Sequence, residues 1–564
     1  MYIMKGTARK TFILLSAAWF IINLAQAFFT DVIPDEAYYY FYSTNLSWGY
    51  FDHPPLVALL ISISSLIFNN ELGVRFMTVV LQIVTLFIIW KTIDEKEPSE
   101  RDVYTFFGIA ASIVMFAVYG FITTPDSPLL LFTALFFYGY NRFLKNESFT
   151  NCIILSISMA GLVYSKYQGA LIIILVVLSN PKLLTNIRFW LSGIAALLLL
   201  TPHILWQISN DFPSFRYHTT GRAKPFKIGY FLEYLPNQMA NFNPFVLPVV
   251  AYAMYKFRPR DLFNRALYFI IGGMILVFWL TTLRGHAEPQ WTIAAAVAMI
   301  ILLYHSARES EKINRYIRKF VFPSIILLFI LRVILICDFL PFKLEFYGQQ
   351  RWAQNVKSIV GDRAVIFRDG YQKPSTYMFY VGGNALTVNS IYYRQNQYDL
   401  GSYDSTFFEK EVAIITRKDD PFAQKYPLTK KDTLYARFSD HLVLTSKVDI
   451  EFNLPDNSSI LRREGSNEIS ISMKNNYARY IPFDDPEYPV TIHAVFIKKD
   501  KVYSVAGRFR QNITGVESGV QIESSMGFEV PSDIEPGEYK FMISLKTPPF
   551  REGFNSRTVS VTLK

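Results

Sequence analysis

TFILLSAAWFIINLAQAFF, residues 11–29, runs for nineteen residues without a charged side chain. A hydrocarbon core of about 30 Å needs roughly 20 helical residues, so this run predicts a helix that crosses a bilayer. Lys5, Arg9 and Lys10 precede it, as they would precede a cleavable signal peptide. The run is long enough to span, however, and no small-residue cleavage site follows, so we read it as a retained first helix.

Similar runs recur at 73–90, 103–122, 127–141, 151–164, 167–179, 189–207, 243–257, 266–283, 291–305 and 320–337. They predict a polytopic α-helical membrane protein with about 11 to 13 spans. Several are short and interrupted by polar residues, as helices are when they start or end in protein-lined cavities. Pro55 to Phe68 is too short to cross and starts with two prolines, which suits a juxtamembrane or re-entrant helix. Composition agrees: 51% of the 564 residues are apolar and 16% aromatic, too apolar for an ordinary soluble enzyme. The apolar residues are concentrated before residue 337. This divides the chain into a membrane domain, 1–337, an α/β unit, 338–440, and an immunoglobulin-like β-sandwich, 441–564.

The formal charge of +10 is explained by topology rather than by nucleic acid, because no nucleic-acid module is visible. Basic clusters fall at the N-terminus, 142–145, 182–188, 256–265 and 308–319. With these facing the cytoplasm, the loops 30–56, 123–127, 165–168, 208–242 and 284–290 face outward, as does everything after Asp338. That expectation places the chain in the cell (inner) membrane with a periplasmic C-terminal domain. Cys152 and Cys337 both sit in apolar runs and read as small buried hydrophobes rather than a disulfide or a metal pair.

The outward loops gather the ionisable residues. The first holds Asp31, Asp35 and Glu36, the aromatic run Tyr38 to Tyr42, and Trp48 to Pro55 with Asp52 and His53. The next two hold Asp126 between Pro125 and Pro128, and Lys166. The fourth holds Arg216, His218, Arg222 and Lys224, and the fifth Arg284, His286 and Glu288. Singly, each has a structural explanation. Tyrosines form interfacial belts, Asp35–Glu36 and Asp126 suit helix starts, and Lys166 can snorkel. Charges at a membrane are costly, so their collection on one face calls for a joint explanation. A carboxylate would deprotonate an acceptor hydroxyl or amine while Lys and Arg neutralise a phosphate leaving group. That is the chemistry of transfer to or from a phosphorylated lipid.

Asp35-Glu36-Ala37-Tyr38-Tyr39 followed by Trp48-Gly49-Tyr50-Phe51-Asp52-His53-Pro54-Pro55-Leu56 resembles the first-loop signature of GT-C membrane glycosyltransferases. Thr124-Pro125-Asp126-Ser127-Pro128-Leu129 and Ser165-Lys166-Tyr167-Gln168-Gly169 resemble two further motifs of that group. The pattern is similar to families 39 and 83, which include protein O-mannosyltransferases and lipid A aminoarabinose transferases, and it covers roughly residues 8–340. The resemblance implies a polyprenyl-phosphate-sugar donor, an extracytoplasmic active site and inversion at the anomeric carbon. It implies Asp35 as the carboxylate that orients or activates the acceptor, with Glu36 in support. His53 stands where relatives often carry Lys, and a neutral His offers the donor phosphate only a hydrogen bond. Lys166 is assigned to the same phosphate, Asp52 and Asp126 to the pocket, and Arg284, His286 and Glu288 to the donor's surroundings. No metal is required, although paired acids near histidines leave room for a divalent ion. Acceptor classes are lipid A, protein and surface glycan. The rival reading is a transporter or flippase of a lipid-linked envelope substrate. It fares worse because no internal repeat is visible and the polar clusters avoid the bilayer midplane.

Overall fold

The computed structural model describes residues 6–221, 226–337, 344–429, 432–454, 459–499 and 501–564. Arg222, Lys224 and the expected boundary at Asp338 lie outside them. The chain forms two compact units, Met1–Gln349 and Gln350–Lys564.

The first unit is helical. Its helices are α1 (Gly6–Phe29), α2 (Pro34–Ser43), α3 (Leu56–Ser65), α4 (Glu71–Ile93), α5 (Glu100–Ser112), α6 (Val114–Val118), α7 (Asp126–Lys145), α8 (Phe149–Ser165) and α9 (Gly169–Ser179). There follow α10 (Ile187–Ser209), α11 (Pro213–Arg216), α12 (Ile228–Phe242), α13 (Val246–Lys256), α14 (Leu262–Thr281), α15 (Ala295–Glu309), α16 (Glu311–Tyr316) and α17 (Phe322–Ile336). Every apolar run of the sequence contains helix, although 103–122 breaks at Ile113 into α5 and α6 and leaves the helix at Tyr119. Among the described residues, five helical stretches are long and apolar enough to cross a bilayer alone: Gly6–Phe29, Glu71–Ile93, Ile187–Ser209, Leu262–Arg284 and Glu311–Ile336.

Bilayer, not water, is the solvent these helices require. Leu198 on α10 and Ile326 on α17 are 69% and 66% exposed, amid long apolar stripes that water would not tolerate. α15 is the hub of the bundle, with every residue from Ala295 to Tyr304 buried. At 1.5 Å per residue the ten residues of α3 are about 15 Å long, half a hydrocarbon core, so α3 does not cross.

Two features depart from the sequence reading. The expected outer loop 208–242 contains α12, whose Ile228, Leu232, Leu235 and Met239 form an exposed apolar stripe. Only a short break separates α12 from α13. At that break buried Asn243, with φ of 90°, donates through Nδ2 to Ser324 Oγ (2.7 Å) and to the Ser112 carbonyl (2.9 Å). A broken helix leaves backbone groups that must be satisfied inside the protein, and Asn243 Oδ1 satisfies one by accepting from the Phe245 amide (2.9 Å). Cys337 is the second departure: it is exposed at the end of α17, and Cys152 is only half-buried.

In the second unit, strands Ala385–Val388, Ala364–Arg368 and Val412–Thr416 pair in parallel, and Thr433–Ser439 and Gln424–Pro427 extend the sheet antiparallel. Helices Gln349–Val360 and Gln372–Val381 flank it. Beyond it one continuous ladder of eight strands runs Val448–Asn453, Ser466–Asn475, Gln521–Glu529, Lys501–Phe509, Thr491–Lys498, Gly537–Lys546, Val559–Leu563 and Ile460–Leu461. The ladder curls over, so Phe452 on the first strand meets Phe541 on the sixth (ring centroids 5.5 Å). A single curled sheet thus forms the sandwich, with Phe496 and Phe528 filling it.

Candidate active site

The first loop folds around one buried ion pair. Pro34 opens α2 with its φ already set for a helix, and Glu36 caps it by accepting from the Ile33 amide (3.2 Å). The Glu36 carboxylate is also gripped by Arg75 of α4, through Nε (2.8 Å) and Nη2 (2.5 Å), and accepts from the Thr123 amide (2.8 Å). Both side chains are fully buried. The remaining Arg75 hydrogens go to carbonyls of Ala27, Thr30 and Asp31. Glu36 and Arg75 thereby tie the ends of α1, α2 and α4 and the 121–125 segment together. The acidic pair of the motif is therefore split: Glu36 is locked inside while its neighbour Asp35 is exposed.

Trp48 to His53 is held from several sides. Tyr42 Oη donates to the Asp52 carboxylate, and its ring stacks on Tyr50 (4.1 Å, 5°). Burial first, and the adjacent Asp52 carboxylate second, push the Tyr42 hydroxyl upward in pKa, so it stays a neutral donor. His203 Nδ1 contacts the Trp48 carbonyl (2.6 Å), Ser214 Oγ donates to the Tyr50 carbonyl (2.9 Å) and His218 Nε2 contacts the Asp52 carbonyl (3.1 Å). Gln207 Nε2 bridges Ser214 Oγ (2.9 Å) and Tyr167 Oη (2.8 Å). His53 is half-buried with its ring edge-on to Tyr39 (5.5 Å).

Asp126, in the first turn of α7, receives Lys166 Nζ on both oxygens (2.7 and 2.8 Å), and both residues are buried. Lys166 closes α8 and sits next to Tyr167, whose hydroxyl lies within electrostatic reach of Asp52. The Tyr119 hydroxyl is within electrostatic range of the carboxylates of Asp126, Asp35 and Glu288. The first, second, third and fifth sequence motifs thus converge at one end of the helical unit. His286 Nδ1 is 3.5 Å from Glu288, both more than a third exposed, and Arg284 is exposed. The fifth loop is pinned by Asn241 Nδ2 on the Pro289 carbonyl (3.1 Å). Among the described residues no group of three His, Cys, Asp or Glu side chains gathers to hold a metal ion.

The arrangement supplies an exposed carboxylate, a buried lysine with one ammonium hydrogen beyond the two given to Asp126, and aromatic walls. Sequence reasoning missed Arg75, Tyr119, His203, Gln207 and Ser214. Arg75 carried a signal: a lone cation in an apolar helix demands a counter-charge. The others are ordinary residues until the fold brings them to the first loop.

The family model for dolichyl-phosphate-mannose-protein mannosyltransferase matches residues 52–206. Lipid A galacturonosyltransferase RgtD of Rhizobium johnstonii is 24% identical over 295 residues; the match spans 48% of this chain and 60% of that relative. Among solved structures, apo ArnT from Cupriavidus metallidurans is similar over 76% of this chain and 98% of its own, at 13% identity and a TM-score of 0.60. The same protein bound to undecaprenyl phosphate is similar over 75% and 97%, at 13% identity and a TM-score of 0.57. At that identity the likeness is one of fold. Motifs, the sequence relative and the fold all point the same way: the chain is similar to the GT-C membrane glycosyltransferases.

Proposed function

We propose that the protein moves a sugar from a polyprenyl-phosphate donor to an acceptor on the extracytoplasmic side of the inner membrane, with inversion. The observation that carries this reading is that Glu36, next to exposed Asp35, accepts from the Thr123 amide just ahead of Asp126, whose two carboxylate oxygens hold buried Lys166. The fold shared with ArnT bound to undecaprenyl phosphate supports the donor class. Lipid A, as in the name of the Rhizobium relative, leads protein and surface glycan as acceptor.

In this mechanism Asp35 accepts the proton of the acceptor hydroxyl or amine as that atom attacks the anomeric carbon. The bond from that carbon to the phosphate oxygen breaks on the opposite face, and polyprenyl phosphate departs. Lys166, fixed by Asp126, gives its remaining hydrogen to the phosphate as charge builds there. Glu36 holds the backbone that carries Asp35. Asp52 orders the loop through Tyr42, His53 offers one hydrogen bond, and Arg284, His286 and Glu288 border the donor.

The test is transfer from a polyprenyl-phosphate sugar by purified Asp35→Asn in lipid. The expected result is loss of transfer with donor binding and melting temperature kept. Wild-type transfer by this variant removes Asp35 from the role.

A further inference from the structure

The opposite end of the helical unit carries a second feature, far from Asp35. α4 runs for 23 residues, about 35 Å, from the Arg75 end to this one. Some cations here have acid partners: Lys145 pairs with Asp94 (2.9 Å), Arg308 with Glu95 (2.5 Å), and Arg260 with Glu309 (2.7 Å). Lys312, Arg315 and Lys319 stand apart by sharing one groove. Among the described residues none of these three forms an ion pair with an acid. All three line one groove of about 440 Å³ between α13 and the α16–α17 segment, with Val249, Tyr252 and Phe320 as its apolar walls.

A local distortion shapes that groove. Ile317–Val321 is a turn of π-helix, which sets one extra residue into the helix between α16 and α17. Phe320 in this turn packs on Tyr316 (4.9 Å) and stacks along Phe245 (6.4 Å, 18°), closing one side of the groove. Lys312 Nζ lies over the Tyr252 ring (4.9 Å). An apolar slot ringed by three cations that lack acid partners matches a molecule with a hydrocarbon chain and an anionic head.

We propose that this groove is a binding site for one anionic phospholipid, its phosphate held between Lys312, Arg315 and Lys319 and one acyl chain laid against Phe320 and Tyr252. The three charges and the apolar walls are both used by that ligand. A zwitterionic lipid uses only the walls, and a free phosphate only the charges.

The experiment uses full-length protein in phosphatidylcholine nanodiscs doped with phosphatidylglycerol, with retained lipid read by native mass spectrometry. Wild type is expected to retain phosphatidylglycerol over phosphatidylcholine. The triple variant Lys312→Gln, Arg315→Gln, Lys319→Gln is expected to weaken that retention on the order of a hundredfold. Phe320→Ala, which keeps every charge, is expected to weaken it as well. Lys96→Gln with Lys182→Gln, exposed at the same end, is expected to leave it unchanged. Equal melting temperatures in pure phosphatidylcholine establish that the variants fold. Undiminished retention by the triple variant overturns the site. Equal loss in the Lys96/Lys182 variant reduces it to general attraction by a basic surface, and undiminished retention by Phe320→Ala removes the chain-binding part. A dimer formed through the groove without lipid assigns the face to a second copy and overturns the proposal.

Discussion

Arg75 and Glu36 form a two-pronged ion pair from which water is fully excluded, thirty-nine residues apart in sequence and 2.5 Å apart in space. The carboxylate also accepts from the amides of Ile33 and Thr123, and the guanidinium also donates to the carbonyls of Ala27, Thr30 and Asp31. The pair is a joint of the fold that places Asp35, the residue beside it, at the surface.

Breaking that joint from one side leaves a buried, uncompensated charge, which costs about 3–5 kcal/mol. Arg75→Met and Glu36→Gln are each expected to lower the melting temperature of the helical unit sharply. The double variant is expected to recover part of the loss, because neither charge is then stranded. Thermal melting of the four proteins in one lipid checks this; strictly additive losses would count against a direct pair.

Lys166 and Asp126 are also buried together, and in the proposed mechanism the third ammonium hydrogen goes to the donor phosphate. Lys166→Ala is therefore expected to weaken both the fold and donor binding. Asp126→Asn is expected to keep the lysine but lose its anchoring, giving a smaller fall in donor affinity. Titration with a polyprenyl phosphate, read by tryptophan fluorescence, separates the two; unchanged affinity in Lys166→Ala excludes it from the phosphate site.

Loop geometry depends on residues remote from the chemistry. Gln207→Leu removes the bridge between Ser214 and Tyr167, leaving both hydroxyls short of a donor. Its expected cost is about 1–3 kcal/mol, with transfer reduced through a displaced Trp48–His53 segment. Melting and turnover measured on the same sample test both parts.

Sidedness is open to a direct measurement. A cysteine placed at position 35 is expected to react with an impermeant maleimide added to intact spheroplasts, and one at position 260 only after lysis. Labelling of 260 alone would invert the topology.

In the second unit, burial lifts the Asp399 carboxyl to about 7, against hydrogen bonds from the Asn396 amide and Asn389 that pull it down. The folded state thus holds a proton that the unfolded chain has released above about pH 4. Stability from this group is present below pH 4, falls as pH rises from about 4 to about 7, and is level above that. Asp399→Asn is expected to flatten this part of the profile. Denaturant melts of the full chain between pH 5 and 8, followed on the β-rich unit, test it; an unchanged slope in the variant places the titration elsewhere.

Charge-free apolar runs near 20 residues, such as 11–29, determine a membrane helix without help from the rest of the chain, because bilayer thickness is fixed and backbone groups must be satisfied internally. The motifs of the first loop, of 124–129 and of 165–169 likewise carried a resemblance to a family, and the fold brings the three segments together. Alternation of apolar and polar residues marked strands such as Ser466–Asn475 and Thr491–Lys498. Tertiary structure decided the rest. It alone separated Asp35 from Glu36, since two adjacent acids in the first turn of α2 look alike until Arg75 arrives from α4. It alone settled the break between α12 and α13, where Asn243 donates to Ser112 and Ser324 from distant segments. It also joined Asp126 to Lys166 and brought Gln207 to the first loop. Local pattern records what a segment needs from its solvent, whereas a buried charge or amide records only that a partner exists, and folding chooses which.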